Sequence, residues 1–247
     1  MNFKDHFSGH ATAYAQARPH YPAELFTWLA AQCPQHELAW DVGCGNGQAS
    51  VALAAHFQQV FASDPSATQI AAATEHPNVR YAVEPAEQCS LPDHCADLVT
   101  VAQALHWFDH ARFYPEVRRV LKPGGLFAAW CYERSSVNPI VDAVFAELYV
   151  DVLDAYWPPE RRHIESGYAT LPFPFAERAV PKRDLRCDWT LAQYLTYLAS
   201  WSASQRYLKA TGRDAVAEFA PALAQAWGDP ETVRTVRWPM TLRLGQA

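Results

Sequence analysis

The run Leu38-Ala39-Trp40-Asp41-Val42-Gly43-Cys44-Gly45-Asn46-Gly47-Gln48 limits the fold more than any other part of the chain. A short apolar stretch ends in an acid, passes through three alternate glycines and opens into an alanine-rich, helix-forming segment. Glycines at this spacing let the backbone turn sharply and bring its N–H groups close to a ligand, with a helix N-terminus behind them. The pattern predicts a strand, a loop and a helix that together hold a nucleotide-type cofactor. The dinucleotide fingerprint is G-x-G-x-x-G, whose third glycine allows close helix–strand packing beneath a pyrophosphate. Here the spacing is Gly43-x-Gly45-x-Gly47, led by Asp41. A carboxylate pointing into the loop suits an amino-bearing or cationic ligand better than a diphosphate.

The flanking segments extend this unit. Leu25, Trp28 and Leu29 recur at helical spacing after Pro22, and Ala49 to Phe57 reads as a helix. Val60 to Asp64 is a second short strand ending in an acid, and Ser66-x-x-Gln69 has capping-box spacing. Further strands are expected at 79–84, 97–102 and 126–130. A helix bearing Phe113, Val117, Val120 and Leu121 on one side ends at Lys122-Pro123-Gly124-Gly125. Alternating helices and near-continuous apolar strands predict a mostly parallel sheet covered on both faces. Such sheets bind ligands beyond the C-terminal ends of their strands, where Asp41 and Asp64 both fall. Asp64 is there positioned for ribose hydroxyls.

Beyond residue 133 the pattern loosens. A helix is expected from Asn138 to Trp157, a surface loop over 158–178, a strand within 179–188 and a capped helix after Thr190-x-x-Gln193. A last helix runs through Val216, Phe219, Leu223 and Trp227 to Gly228. Val236, Trp238, Met240, Leu242 and Leu244 then alternate with polar residues as a final strand, which Pro239 makes irregular or an edge. No linker or repeat divides the 247 residues, so one domain is expected.

Composition narrows the partners. Half the residues are hydrophobic and the formal charge is −6, so the basic footprint of a nucleic-acid binder is missing and a small molecule is the plainer partner. No apolar run approaches the ~20 residues that span a bilayer. The six cysteines form no C-x-x-C pair and no signal segment is recognised, which predicts reduced thiols, no metal site and a cytoplasmic location.

Taken together, Asp41 to Gly47, Asp64-Pro65-Ser66, Glu84-Pro85-Ala86-Glu87, Gln103 to Phe108 and Leu121 to Gly125 resemble, in order and interval, the class I S-adenosylmethionine-dependent methyltransferases. The likeness covers residues 38–130. The opening Phe7-Ser8, Tyr14 and Arg18-Pro19-x-Tyr21-Pro22, with His106-Trp107-Phe108 and Ser200-Trp201-Ser202, is more loosely similar to the trans-aconitate and cantharidin methyltransferases, which act on small molecules.

The resemblance implies a Rossmann-like, doubly wound α/β fold with a seven-stranded, mostly parallel sheet, its last strand antiparallel, under a helical cover. The cofactor core would occupy about residues 36–132, an N-terminal cap 1–34 and an acceptor-pocket cover lies within 134–230. It implies S-adenosylmethionine as donor, leaving S-adenosylhomocysteine. Gly43, Cys44, Gly45, Asn46 and Gly47 would form the loop around the methionine and ribose portions, Asp41 would lie near the amino group, and Asp64, followed by Pro65, would take the ribose hydroxyls. Asn46 stands where the family often has Thr or Ser. Ile70, Ala86 and Glu87 would meet the adenine, Gln103 and Ala104 would flank the methionine tail, and Tyr14 and Arg18 would close over the cofactor.

His106 is a candidate base for a hydroxyl or amine acceptor, or a packed histidine beside Trp107. Trp107, Trp130, Tyr132 and Trp201 are candidates for the acceptor pocket, or ordinary core and cover aromatics. The expected function is methyl transfer to a small molecule, a carboxylate being one option that needs no base. The rivals are a nicotinamide-dependent oxidoreductase and a non-catalytic cofactor-binding protein.

Overall fold

A computed structural model describes residues 18–246; Phe7, Ser8 and Tyr14 lie outside the described residues. Pro22 precedes helix α1 (Ala23–Gln32), which buries Leu25, Phe26, Leu29 and Ala30. Strand β1 (Leu38–Val42) leads through the glycine loop into α2 (Gln48–Leu53). Strand β2 (Gln59–Asp64) leads into α3 (Ala67–Ala71), whose first turn is capped by the Ser66 hydroxyl accepting from the Gln69 N–H. Then follow β3 (Val79–Val83), β4 (Ala96–Ala102), a single 3-10 turn at Leu105–Trp107, α4 (His110–Val120) and β5 (Leu121–Tyr132). Strand β5 starts earlier than the Pro-Gly-Gly run suggests. Leu121 already pairs with Ala96, and the register slips before Leu126 pairs with Leu98, with Gly124 at φ +83°.

The second half departs further from expectation. The single helix expected from Asn138 to Trp157 is α5 (Pro139–Ala146), a widened π turn (Glu147–Val152) and a 3-10 turn (Asp154–Tyr156). The change of winding follows tertiary packing, because Leu148 and Tyr149 are adjacent in sequence and both are buried. The expected loop over 158–178 contains a short helix α6 (Arg161–Glu165) and a three-residue strand β6 (Ala176–Arg178). Next come β7 (Arg183–Trp189) and α7 (Leu191–Ala199), which carries the expected capping box between Thr190 and Gln193. Helix α8 (Ser202–Thr211) went unread because its buried residues are only Ala203, Ser204 and Tyr207. Helix α9 (Ala215–Trp227) ends at Gly228, φ +84°, as expected, and β8 (Arg234–Gln246) closes the chain.

Among the described residues the sheet has eight strands, not seven, in the order β3-β2-β1-β4-β5-β8-β6, with β7 also on β8. Strands β1 to β5 pair in parallel, and β8 runs antiparallel to β5, β6 and β7. The extra strand is β6, whose three residues are all exposed and too short for an alternating signal. It exists because the end of β8 offers it a free edge. Pro239 sits where β8 changes partner: residues up to Met240 pair with β7, and those from Met240 onward with β5. Its carbonyl accepts from the Glu133 N–H, so the irregularity expected at this proline is a handover between strands.

Two cores flank the sheet. One gathers α1, α2 and the aromatic cover around Trp130, Tyr132, Trp201, Trp227 and Trp238; the other gathers α4 with Trp40, Phe113, Phe127, Cys131 and Tyr168. Fully burying one such apolar side chain contributes roughly 1.5–3 kcal/mol. At the N-terminal ends of the strands, buried Asp97 accepts from the Glu37 and Leu38 N–H groups and pairs with Lys122 at 2.8 Å. That clasp fixes the end of the sheet away from the glycine loop. No helix among the described residues is long and apolar enough to cross a membrane.

Candidate functional site

The strand order reverses between β1 and β4, so loops leaving these strands diverge and open a crevice at their C-terminal ends. The glycine loop forms one wall. Gly43, Gly45 and Gly47 have φ of +67°, +56° and +84°, in the left-handed region that favours glycine. The three differ in what lies beside them. A Cβ on Gly43 would fall 2.7 Å from Ala104 Cβ, and one on Gly47 only 2.1 Å from Tyr81 Oη. At Gly45 the nearest atom is Gln69 Oε1 at 3.7 Å, so that face is open. Protein therefore packs against Gly43 and Gly47, while Gly45 leaves room beside Asp64. Asn46 holds the loop to the next layer, its carbonyl accepting from the Thr74 N–H.

Asp64 ends β2 nearly buried. Its Oδ2 accepts from the Gly45 N–H at 2.9 Å and its Oδ1 from the Ser66 N–H at 2.8 Å, with Pro65 between. Two backbone donors thus fix the plane of the carboxylate against the loop. An ionised carboxylate is an acceptor only, so the donors it meets here must be N–H or O–H groups. This open glycine face beside an oriented acid fits a ribose-bearing cofactor.

Asp41 is fully buried, and its oxygens take hydrogen bonds from Ser50 Oγ at 2.6 Å and Thr100 Oγ1 at 3.0 Å. Burial raises its pKa to about 6, against the lowering effect of those two hydroxyls. It therefore ties β1 to α2 and β4 and places a titratable acid beneath the loop. Cys44 is buried, and burial with Asp41 and Asp64 nearby pushes its thiol well above the ordinary range, so it is an inert packing group.

The segments leaving β3, β4 and β5 carry the other residues expected at the site. Ala86 is buried, and Glu87 Oε1 accepts from the Asp109 N–H at 2.9 Å, fastening this loop to the start of α4. The same loop is anchored by Arg119, which reaches the Leu91 carbonyl, Asp93 and Glu116. Ile70 lies half-buried on α3. Gln103 leaves β4 at φ +57°, unusual for a residue with a side chain. Its Oε1 accepts from the Tyr132 N–H at 2.8 Å and its Nε2 donates to the Tyr132 carbonyl at 3.4 Å. The side chain thus extends the pairing of β4 with β5 by one rung.

His106 is buried in the turn after β4, with Nδ1 3.1 Å from Tyr168 Oη and its ring 4.6 Å from Trp107. Burial, with the positive charge of Arg161 adding to it, lowers its pKa to about 3. It is neutral at any ordinary pH. Trp130 is wholly buried, edge-on to Tyr21 at 5.6 Å and Phe26 at 6.2 Å, which makes it a core residue beneath α1. Tyr132 receives a hydrogen bond from Arg18 at 3.1 Å, and the same guanidinium lies 5.8 Å over the Tyr197 ring. Trp201 packs among Phe145, Tyr149, Trp157 and Tyr197 at centroid distances of 5.3 to 5.7 Å. Arg18, Tyr132 and Trp201 are thereby brought together through Tyr197. Tyr149, Trp157, Arg161 and Tyr197 pack into the same cluster, for which the sequence offers only a local enrichment of aromatics and arginine.

A mostly parallel, doubly wound sheet with a left-handed glycine loop after β1 and an oriented acid ending β2 defines a nucleotide-cofactor enzyme of the Rossmann-like class. The family model described as a methyltransferase domain matches residues 40–129. A Dictyostelium discoideum protein described as a methyltransferase is 32% identical over 252 residues, 99% of this chain and 95% of that one. A solved Anaeromyxobacter dehalogenans structure, described as a type II methyltransferase, is 49% identical with a TM-score of 0.88, covering 93% of this chain and 97% of that one. A methyltransferase structure from Anabaena variabilis shares the fold at 19% identity and TM-score 0.56. The chain belongs to the class I S-adenosylmethionine-dependent methyltransferases. That membership replaces the oxidoreductase reading.

Proposed function

We propose that this protein transfers the methyl group of S-adenosylmethionine to a small-molecule carboxylate, with Asp64 holding the ribose. The observation that carries the cofactor half is the Asp64 carboxylate fixed between the Gly45 and Ser66 N–H groups beside the open face of Gly45. In this reading Gly43 to Gly47 line the methionine and ribose, Ile70, Ala86 and Glu87 border the adenine, and Asp41 supplies negative potential beneath the amino group. Gln103 and Ala104 flank the methionine tail through their backbone, and Arg18 closes from the cap. Residues 134–230 cover the acceptor, with Trp107, Tyr132 and Trp201 beside it. The looser likeness to trans-aconitate and cantharidin methyltransferases supports a small acceptor.

Bound there, S-adenosylmethionine supplies a sulfonium-activated methyl carbon that bonds to the acceptor oxygen as the carbon–sulfur bond breaks, the electron pair staying on sulfur. The chain's task is to hold the acceptor in line and exclude water. A carboxylate is already an anionic nucleophile, so no proton has to be removed. The neutral, buried His106 accords with this, since a base held that far below neutral pH extracts protons poorly.

The test is transfer of tritium from methyl-labelled S-adenosylmethionine to a small-molecule metabolite extract, with wild-type protein and His106→Gln. Labelled product is expected from both, with the variant within about tenfold of wild type, because loss of a working base costs roughly 100-fold or more. Absence of product from wild type while the cofactor binds would leave a non-catalytic binding protein. A large loss in His106→Gln with unchanged cofactor affinity would restore His106 as a base.

A further inference from the structure

We infer that Arg161 is the specificity-determining residue of the acceptor site, gripping the anionic group of the molecule to be methylated; this rests on the proposed methyl transfer. Helix α6 packs against the Leu105–Trp107 turn that follows β4, which brings it to the C-terminal end of that strand. The helix also straddles the two cores. Ile164 belongs to the α4-side core, whereas Arg161 reaches back to aromatics of the other. Its guanidinium carbon lies 4.9 Å over the Trp157 ring, and its Nε donates to Tyr149 Oη at 2.9 Å. The Tyr149 hydroxyl in turn donates to Glu165 at 2.6 Å. The fork is therefore oriented from behind by one hydroxyl and one indole face.

No carboxylate among the described residues forms an ion pair with Arg161, and its two terminal nitrogens have no hydrogen-bond partner there, although the side chain is half-buried. Among the described residues nine other basic–acidic pairs form, including one from Arg134 to Glu165, on the same helix as Arg161. Its positive charge acts on His106 in the turn after β4, on Cys131 near the end of β5 and on Tyr197 of α7. A half-buried guanidinium whose fork is unclaimed among the described residues is a site for an anion, and its planar donors match a carboxylate. The Trp157 ring beneath it is half-buried and continues through Trp201 to Tyr197, so the aromatic surface next to the guanidinium is firmly backed. One carboxylate oxygen rests on Arg161 and the other presents its lone pair to the methyl carbon. Charges then balance, an anion and a sulfonium giving a neutral ester and a neutral thioether with no proton released.

The test uses methyl-tritiated S-adenosylmethionine and a metabolite extract split by anion exchange into retained and unretained fractions. With wild type, label is expected in acceptors from the retained fraction and is expected to leave as volatile methanol on alkaline hydrolysis, the signature of a methyl ester. Arg161→Gln is expected to lose that label roughly 30-fold or more, as when one partner of a buried charged pair is removed. Arg161→Lys, which keeps charge but not the fork, is expected to fall between. Both variants should keep wild-type affinity for S-adenosylhomocysteine by calorimetry and wild-type melting temperature, which separates acceptor binding from folding. Alkali-stable label, label from the unretained fraction, or full ester formation by Arg161→Gln would overturn the inference while leaving methyl transfer intact. No label from any fraction would overturn both.

Discussion

Asp64→Ala is expected to weaken S-adenosylmethionine binding by about 100-fold or more, measured by calorimetry. Hydrogen bonds to a charged acceptor contribute roughly 1.5–3 kcal/mol each, and in the proposed site Asp64 would accept from two ribose hydroxyls. The substitution also strips the Gly45 and Ser66 N–H groups of their acceptor, loosening the loop that the cofactor needs in place. Asp64→Asn separates these contributions. It keeps an oxygen for one backbone donor but has neither the charge nor the second acceptor, so an intermediate loss is expected. Unchanged affinity in Asp64→Ala would remove this residue from the site.

Gly47→Ala is expected to be among the most damaging substitutions to the fold itself. Its φ of +84° is strained for alanine, and the added Cβ would fall 2.1 Å from Tyr81 Oη. The conformation alone costs roughly 1–2 kcal/mol, and overpacking typically adds 1–3 kcal/mol, so a loss of about 3 kcal/mol in urea-monitored stability is expected. Tyr81→Phe in the same chain should recover only part of it, because the ring carbon Cζ would still lie at 2.9 Å. Gly45→Ala provides the contrast. With no atom nearer than 3.7 Å it should cost only the conformational part in stability, yet impair cofactor binding by filling the open face. Equal stability losses at Gly45 and Gly47 would contradict this division between packing and binding glycines.

What could be read from the sequence was local. The glycine spacing, the acids ending two strands and the alternation of β and α carry their meaning within a few residues, so the doubly wound sheet and its crevice were legible. The capping box at Thr190 and the glycine ending α9 were legible for the same reason. Features made by distant partners were not. Strand β6 exists only because β8 offers an edge, the helix after Asn138 widens because Tyr149 must reach the core, and α8 buries almost nothing that marks it as apolar.

The same divide runs through the site. Asp64 was legible as a strand-end acid, but the Gln103 clasp on the Tyr132 backbone depends on the register of β4 against β5. Trp130, a pocket candidate by sequence, lies wholly buried beneath α1, because strand alternation gives its face of the sheet to Tyr21 and Phe26. Arg161 sat in a segment expected to be loop. The proposed role of Arg161 rests on its orientation by Trp157 and Tyr149, partners that the sequence does not bring together.

The most direct measurement is calorimetric titration of the wild-type protein with S-adenosylmethionine and, separately, with a nicotinamide dinucleotide. Saturable binding of one S-adenosylmethionine per chain is expected, abolished or greatly weakened by Asp64→Ala, with no binding of the dinucleotide. Binding of the dinucleotide without S-adenosylmethionine, or S-adenosylmethionine binding indifferent to Asp64, would contradict the assignment of this crevice as the methyl-donor site.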